Sequence, residues 1–186
     1  MVSVGGRLFY ICDETLHGVD ASVPSKWFLS ARDAFSGVLL WKRPVPQWGA
    51  REHSGTSDIS GSGVVGRFTM PAHAGKRLVA VGDTVYITLG ATAPVTALDA
   101  ATGDVRRVYD QTANADEILC VDGRLIVTIN PSEKPHPAAA RRGVPPPASG
   151  KRVIGLDIKS GRVLWEKGPY TATRSTLTQD PFGRLE

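Results

Sequence analysis

Three stretches of the chain share one spacing: DAFSGVLLW from Asp33 to Trp41, DAATGDVRR from Asp99 to Arg107, and DIKSGRVLW from Asp157 to Trp165. An aspartate followed four residues later by glycine is turn chemistry. The carboxylate accepts backbone N–H bonds, and the glycine takes a left-handed conformation without a Cβ clash. Repetition of such a turn within 186 residues restricts the chain to a repeated β architecture. A second, tighter turn precedes each copy: Gly5-Gly6, Gly82-Asp83 and Asp122-Gly123. Flanked by apolar β-rich runs, these read as hairpins.

Each copy then reads as four strands in meander order. In the middle copy, RLVAVGDTVYITL supplies two strands, and PVTALDAATGDVRRVY supplies the other two around the Asp99–Gly103 turn. The expected units are blade one over 1–43, an insertion over 44–76, and blade two over 77–111. Blade three covers 118–167 with an insertion over 130–151, and 168–186 is a connector. The first strand of each copy is expected to be the most buried, as LVAV is apolar on both faces. The fourth carries charge (Lys42, Arg106, Arg107, Glu166, Lys167), which protects an exposed sheet edge. The fold class predicted is all-β, a β-propeller built from four-stranded antiparallel blades. Three blades fall short of the roughly four to eight that close a ring, so the chain is expected to belong to a larger propeller.

Composition narrows the function classes. A net charge of +4, with basic residues scattered in pairs such as Lys42-Arg43 and Arg141-Arg142, argues against nucleic-acid binding. No apolar run is long enough to span a membrane, and the first residues lack the pattern of a signal peptide. Cys12 and Cys120 are too few and too far apart for a disulfide framework and read as half-buried strand thiols. His17, His53, His73 and His136 lie in separate loops without zinc-ligand spacing. CDETLHGVD (Cys12 to Asp20) offers carboxylates and a histidine to a cation, but reads better as a solvated loop. SGTSDISGSG and GSGVVG read as linker, since neither a nucleophile elbow nor a βαβ unit surrounds them. No catalytic or metal-ligating residue is assigned.

ARDAFSGVLLW (Ala31 to Trp41) resembles the tryptophan-docking motif of quinoprotein-type propellers, A-x-D-x-x-[TS]-G-x-x-x-W. GLDIKSGRVLW matches with glycine leading, and ALDAATGDVRR matches except that Arg107 replaces the tryptophan. The chain is thus similar to the pyrroloquinoline-quinone-like (PQQ-like) propeller repeat family. The resemblance implies an eight-bladed parent and a periplasmic or extracytoplasmic location. It implies a blade-docking role for Asp33, Gly37, Trp41, Asp99, Gly103, Asp157, Gly161 and Trp165. At Arg107 the fastening is expected to be looser, with the arginine head in solvent; the alternative is that Val108 or Tyr109 takes the place through a register change. The family contains both assembly scaffolds and quinone-dependent dehydrogenases, as well as sensor propellers fused to other domains. The leading expectation is a scaffold without a cofactor. The alternative is part of a dehydrogenase using PQQ and Ca²⁺, with its ligands in other blades. Partners, whether protein or small ligand, are expected on the face bearing the long insertions (Cys12–Lys26, Pro44–Lys76 and Asn130–Lys151), with Trp48, Arg51, His53 and Arg141 first to test. The remaining blades of the parent propeller are expected partners too.

Overall fold

The computed structural model describes residues 1–14, 26–45, 74–90, 92–130 and 150–170. These form an all-β arrangement of three four-stranded antiparallel sheets, each in simple meander order. Blade one is β1 (Val2–Val4), β2 (Arg7–Asp13), β3 (Trp27–Asp33) and β4 (Leu39–Pro44). Blade two is β5 (Leu78–Val81), β6 (Thr84–Thr88), β7 (Val95–Asp99) and β8 (Val105–Tyr109). Blade three is β9 (Ala115–Val121), β10 (Arg124–Ile129), β11 (Lys151–Asp157) and β12 (Val163–Tyr170). Strand β9 starts three residues before the expected blade boundary, because Ala115 pairs with Ile129 across a bulge.

The tight turns work as their residues dictate. Gly37, Gly103 and Gly161 have φ of 74°, 78° and 75°, where a side chain would be strained. Their amides donate to the carbonyls of Asp33, Asp99 and Asp157 at 2.8–2.9 Å. In each blade the residue after the aspartate also donates back to the first turn: Ala34 to Gly6, Ala100 to Asp83 and Ile158 to Gly123. Both tight turns of a blade therefore lie side by side at one end of the sheet. The outer strand carries the same bulge in all three copies. Ala31, Ala97 and Gly155 pair with Trp41, Arg107 and Trp165, but the next residues pair two positions earlier, with Leu39, Val105 and Val163. An extra residue at this point strengthens the local twist.

Burial follows the strand order, with one correction. The first strand of a blade is not its most buried: in β5 only Leu78 is buried and Val81 is 46% exposed. In blade two the second strand is, and every residue of β6 is buried, whereas in blade one the third strand, β3, is buried at more positions than β2. Strand β6 has neighbours on both edges and a blade against each face, whereas β5 has a sheet neighbour on one edge alone. Strand β12 is exposed throughout.

Two apolar cores join the blades. Phe9, Ile11, Leu29 and Ala31 of blade one pack against Leu78, Val85, Ile87 and Leu98 of blade two. Tyr86, Val95, Ala97 and Tyr109 on the opposite face of blade two pack against Ile118, Leu125, Val127, Ile154 and Leu156 of blade three. A further tie comes from the 3-10 turn Ala74–Arg77, whose Arg77 reaches Asp116 of β9 at 3.3 Å.

Candidate functional site

The repeated motif builds its geometry from the turn outward. Asp33 Oδ1 accepts from the amides of Phe35 (3.1 Å) and Ser36 (2.7 Å) and from the Ser36 hydroxyl (2.8 Å). Asp157 Oδ1 accepts from the Ser160 amide and hydroxyl, both at 2.7 Å. Asp99 Oδ1 accepts from Ala101 and Thr102, while its Oδ2 takes the Arg106 guanidinium at 2.6 Å. Arg106 spans both turns of blade two, because it also reaches Asp83 at 2.9 Å.

These bonds hold the carboxylates ionised. Asp33 is lowered by the Ser36 amide and hydroxyl, and Asp157 by the Ser160 hydroxyl and amide. Asp99 drops from 3.8 to about 2, chiefly through Arg106 and then the Thr102 and Ala101 amides. A carboxylate whose pKa is depressed on folding stabilises the fold above its unfolded value and loses that contribution as pH falls through the folded one. Stability should therefore decline between about pH 4 and pH 2, where Asp99 protonates. An Asp99→Asn variant should show a flatter decline over that interval in denaturant titrations.

Trp41 shows what the motif does between blades. Its ring lies against Gly103 of blade two so closely that an added Cβ there would stand 2.8 Å from the ring. Its indole N–H donates to the Ala100 carbonyl at 3.1 Å, and the Phe9 ring packs against it, tilted, at a centroid distance of 5.9 Å. Arg43, two residues on and so on the same face of β4, donates to the Gly103 carbonyl at 3.1 Å.

Blade two reaches the same place by other means, contrary to the looser contact expected at Arg107. The Arg107 guanidinium donates to the Ser160 carbonyl at 2.8 Å and packs on Gly161, where a Cβ would meet its Nη1 at 2.7 Å. Tyr109 donates to the Ile158 carbonyl at 3.0 Å, the position equivalent to the acceptor of Trp41. Gln111 donates to the Gly161 carbonyl at 2.7 Å. No register change is involved, since Arg107 pairs with Ala97 as Trp41 pairs with Ala31. Arginine wins here because its donors reach carbonyls that the turn leaves unpaired. The sequence signal for Tyr109 was its i+2 spacing from Arg107, which keeps both on one face. Tyr109→Phe should lower stability by about 1 kcal/mol, the worth of one hydrogen bond, read from urea unfolding.

Trp165 has no blade beyond it among the described residues. Its ring lies across Gly155 of its own sheet, where a Cβ would come within 2.3 Å, and it remains 38% exposed.

Other candidates form no site. Cys12 and Cys120 are half-buried free thiols in β2 and β9, each pushed up in pKa by burial. Among the described residues no three His, Cys, Asp or Glu side chains gather as metal ligands would. In the acidic loop proposed from sequence, Asp13 caps the Lys26 amide and Glu14 pairs with Lys42. The rest of that stretch, His17 and Asp20 included, lies outside the described residues, as do His53, His73, His136, Trp48, Arg51, Arg141 and nearly all of the insertions.

The family described as outer membrane protein assembly factor BamB, a PQQ-type repeat family, matches residues 29–185. The chain belongs to this family. Among solved structures, a europium-containing methanol dehydrogenase aligns with TM-score 0.52 and 15% identity, over 88% of this chain and 23% of that one. BamB from Moraxella catarrhalis aligns with TM-score 0.41 and 16% identity, over 77% of this chain and 32% of its own. The quinohemoprotein alcohol dehydrogenase of Comamonas testosteroni aligns with TM-score 0.41 and 13% identity, over 78% and 19%. No curated protein matches the chain. The chain spans less than a third of each of these structures, and the likeness to the first, at 15% identity, shows the β-propeller fold alone.

Proposed function

We propose that this chain is a non-catalytic propeller module that serves as a binding or assembly scaffold outside the cytoplasm, as part of a larger ring. The observation that carries this reading is the use made of the repeated polar groups. Asp33, Asp99, Asp157, Trp41, Arg107 and Tyr109 are all engaged in bonds within turns or between blades. The family description, that of an assembly factor, supports it as well. The tight-turn end of each blade is closed on itself, so partners are proposed to meet the opposite end, where the long insertions lie.

The likeness to a methanol dehydrogenase favours a second reading, in which the chain contributes blades to a quinone-dependent enzyme. Under that reading the groups that hold PQQ and its metal would come from other blades, because most of the acidic side chains of the described residues are already engaged. Asp116 is held by Arg77 and Lys151, Asp83 by Arg106, and the motif carboxylates by their turns, so no set of oxygens converges for a cation. Calorimetry of the full-length protein with PQQ and Ca²⁺, together with dye reduction in the presence of alcohols, separates the two readings. The scaffold reading expects neither quinone binding nor turnover, and turnover would overturn it. The face assignment is tested by deleting Ser132 to Ala148, which should weaken partner binding while leaving the β-sheet circular dichroism intact.

A further inference from the structure

The inner turn of each blade is built from a different pair of residues: Gly5-Gly6, Gly82-Asp83 and Asp122-Gly123. Only in blade three does an aspartate precede a glycine, and this is the one Asp-Gly step in the whole sequence. Both residues are exposed. A closed ring leaves such a turn open, since the equivalent turns of blades one and two are exposed beside the neighbours already seated against them. Asp122 is held at a φ of 46° and Gly123 at 71°, the left-handed pair that a two-residue hairpin demands. The glycine bears that conformation freely, whereas the aspartate is strained in it.

Two observations separate Asp122 from the other aspartates at this end of the blades. The carboxylates of Asp33, Asp83, Asp99, Asp104 and Asp157 are each held by turn amides, by hydroxyls or by Arg106. The Asp122 carboxylate takes no hydrogen bond or ion pair among the described residues, and the Gly123 amide beside it donates to none of them. Of the Gly123 backbone only the carbonyl is engaged, by the Ile158 amide at 3.2 Å. Nothing stands within 4 Å of a Cβ built on Gly123. A free carboxyl, an unbonded amide on the next residue and no side chain to crowd the approach are what closure of a five-membered succinimide requires. Blade two denies all three: Asp83 is bonded to Arg106, and the residue after it is the β-branched Thr84, which belongs to the β5–β6 ladder.

We propose that Asp122-Gly123 is a site of spontaneous covalent modification, at which the folded chain converts to L-isoaspartate. The Gly123 nitrogen attacks Cγ of the protonated Asp122 carboxyl; the N–C bond forms as the carboxyl hydroxyl leaves with the amide proton as water. Water then adds to the backbone carbonyl carbon of Asp122 in the succinimide and breaks its bond to nitrogen. The chain now runs through Cγ, and the former backbone carbonyl is a free carboxylate. One water leaves and one returns, and nothing is oxidised or reduced. The product carries one more methylene in a turn closed by the Val121–Arg124 pair, so that pair no longer fits. The bond from Ile158 to Gly123, which ties the two tight turns of blade three together, is lost with it.

The test keeps the full chain for weeks at neutral pH in native buffer and, in parallel, in urea. Its peptides are then assayed for methyl acceptance by an isoaspartyl carboxyl methyltransferase, and the site is placed by fragmentation in the mass spectrometer. The proposal expects isoaspartate at Asp122 in native buffer, severalfold above that at the five held aspartates. Hydrogen exchange at the Ile158 amide should be faster in the modified fraction. Asp122→Gly, which gives blade three the Gly-Gly turn that blade one already uses, should abolish methyl acceptance and leave the far-ultraviolet circular dichroism unchanged. Isoaspartate no more abundant at Asp122 than at the held aspartates, or formed there only in urea, overturns the proposal. Methyl acceptance that persists in Asp122→Gly overturns it as well.

Discussion

Replacing Gly103 by alanine should lower stability by about 3 kcal/mol, whereas the same change at Gly37 should cost only about 1 kcal/mol. Both glycines sit at nearly the same positive φ, so the backbone cost is shared. The space around them is not. Nothing lies within 4 Å of a Cβ built on Gly37, but one on Gly103 would run into the Trp41 ring at 2.8 Å. The ring would have to lift, giving up its bond to the Ala100 carbonyl and part of its apolar contact. For a chain of this size the larger loss corresponds to a fall in Tm of roughly 6–12 °C, measurable by calorimetry. Equal effects at the two glycines would mean that Trp41 moves aside without cost.

Phe9→Ala should be more damaging still, by about 3–5 kcal/mol. Phe9 is fully buried, faces blade two and supports the Trp41 ring. Its loss would leave a void at the first interface and unsettle the fastener together. Leu119→Ala, on the uncovered face of blade three, should cost no more than about 1 kcal/mol, although it removes as many methyl groups as a core leucine would. The contrast is between a covered sheet face and an open one. Guanidinium chloride unfolding of the two variants should show it directly.

The sequence made the turns easy to read because their chemistry is local. An aspartate that caps the amides of its own turn, and a glycine that must be left-handed, act within five residues, and Asp33, Asp99 and Asp157 do so as the spacing indicates. The blade order followed from those turns. Burial was harder, because it depends on what stands against a strand. LVAV is apolar throughout, yet Val81 is exposed and the polar-flanked TVYIT of β6 is wholly buried. Arg107 was read as a weak fastening because arginine is an unusual substitute for a packing tryptophan. Its role depends on the Ser160 carbonyl and on Gly161, about fifty residues away on another blade, and no pattern within the strand contains them.

If the repeated motif fastens one blade to the next, a double-mutant cycle between Trp41 and Gly103 will show it. With Trp41→Ala already made, the ring no longer stands over the turn, so Gly103→Ala should retain only its backbone cost. The two changes should then be coupled by about 1–2 kcal/mol, with the double variant more stable than the sum of the single losses implies. Strict additivity, with Gly103→Ala costing the same whether residue 41 is tryptophan or alanine, would show that the tryptophan does not bind the neighbouring turn and would contradict the account.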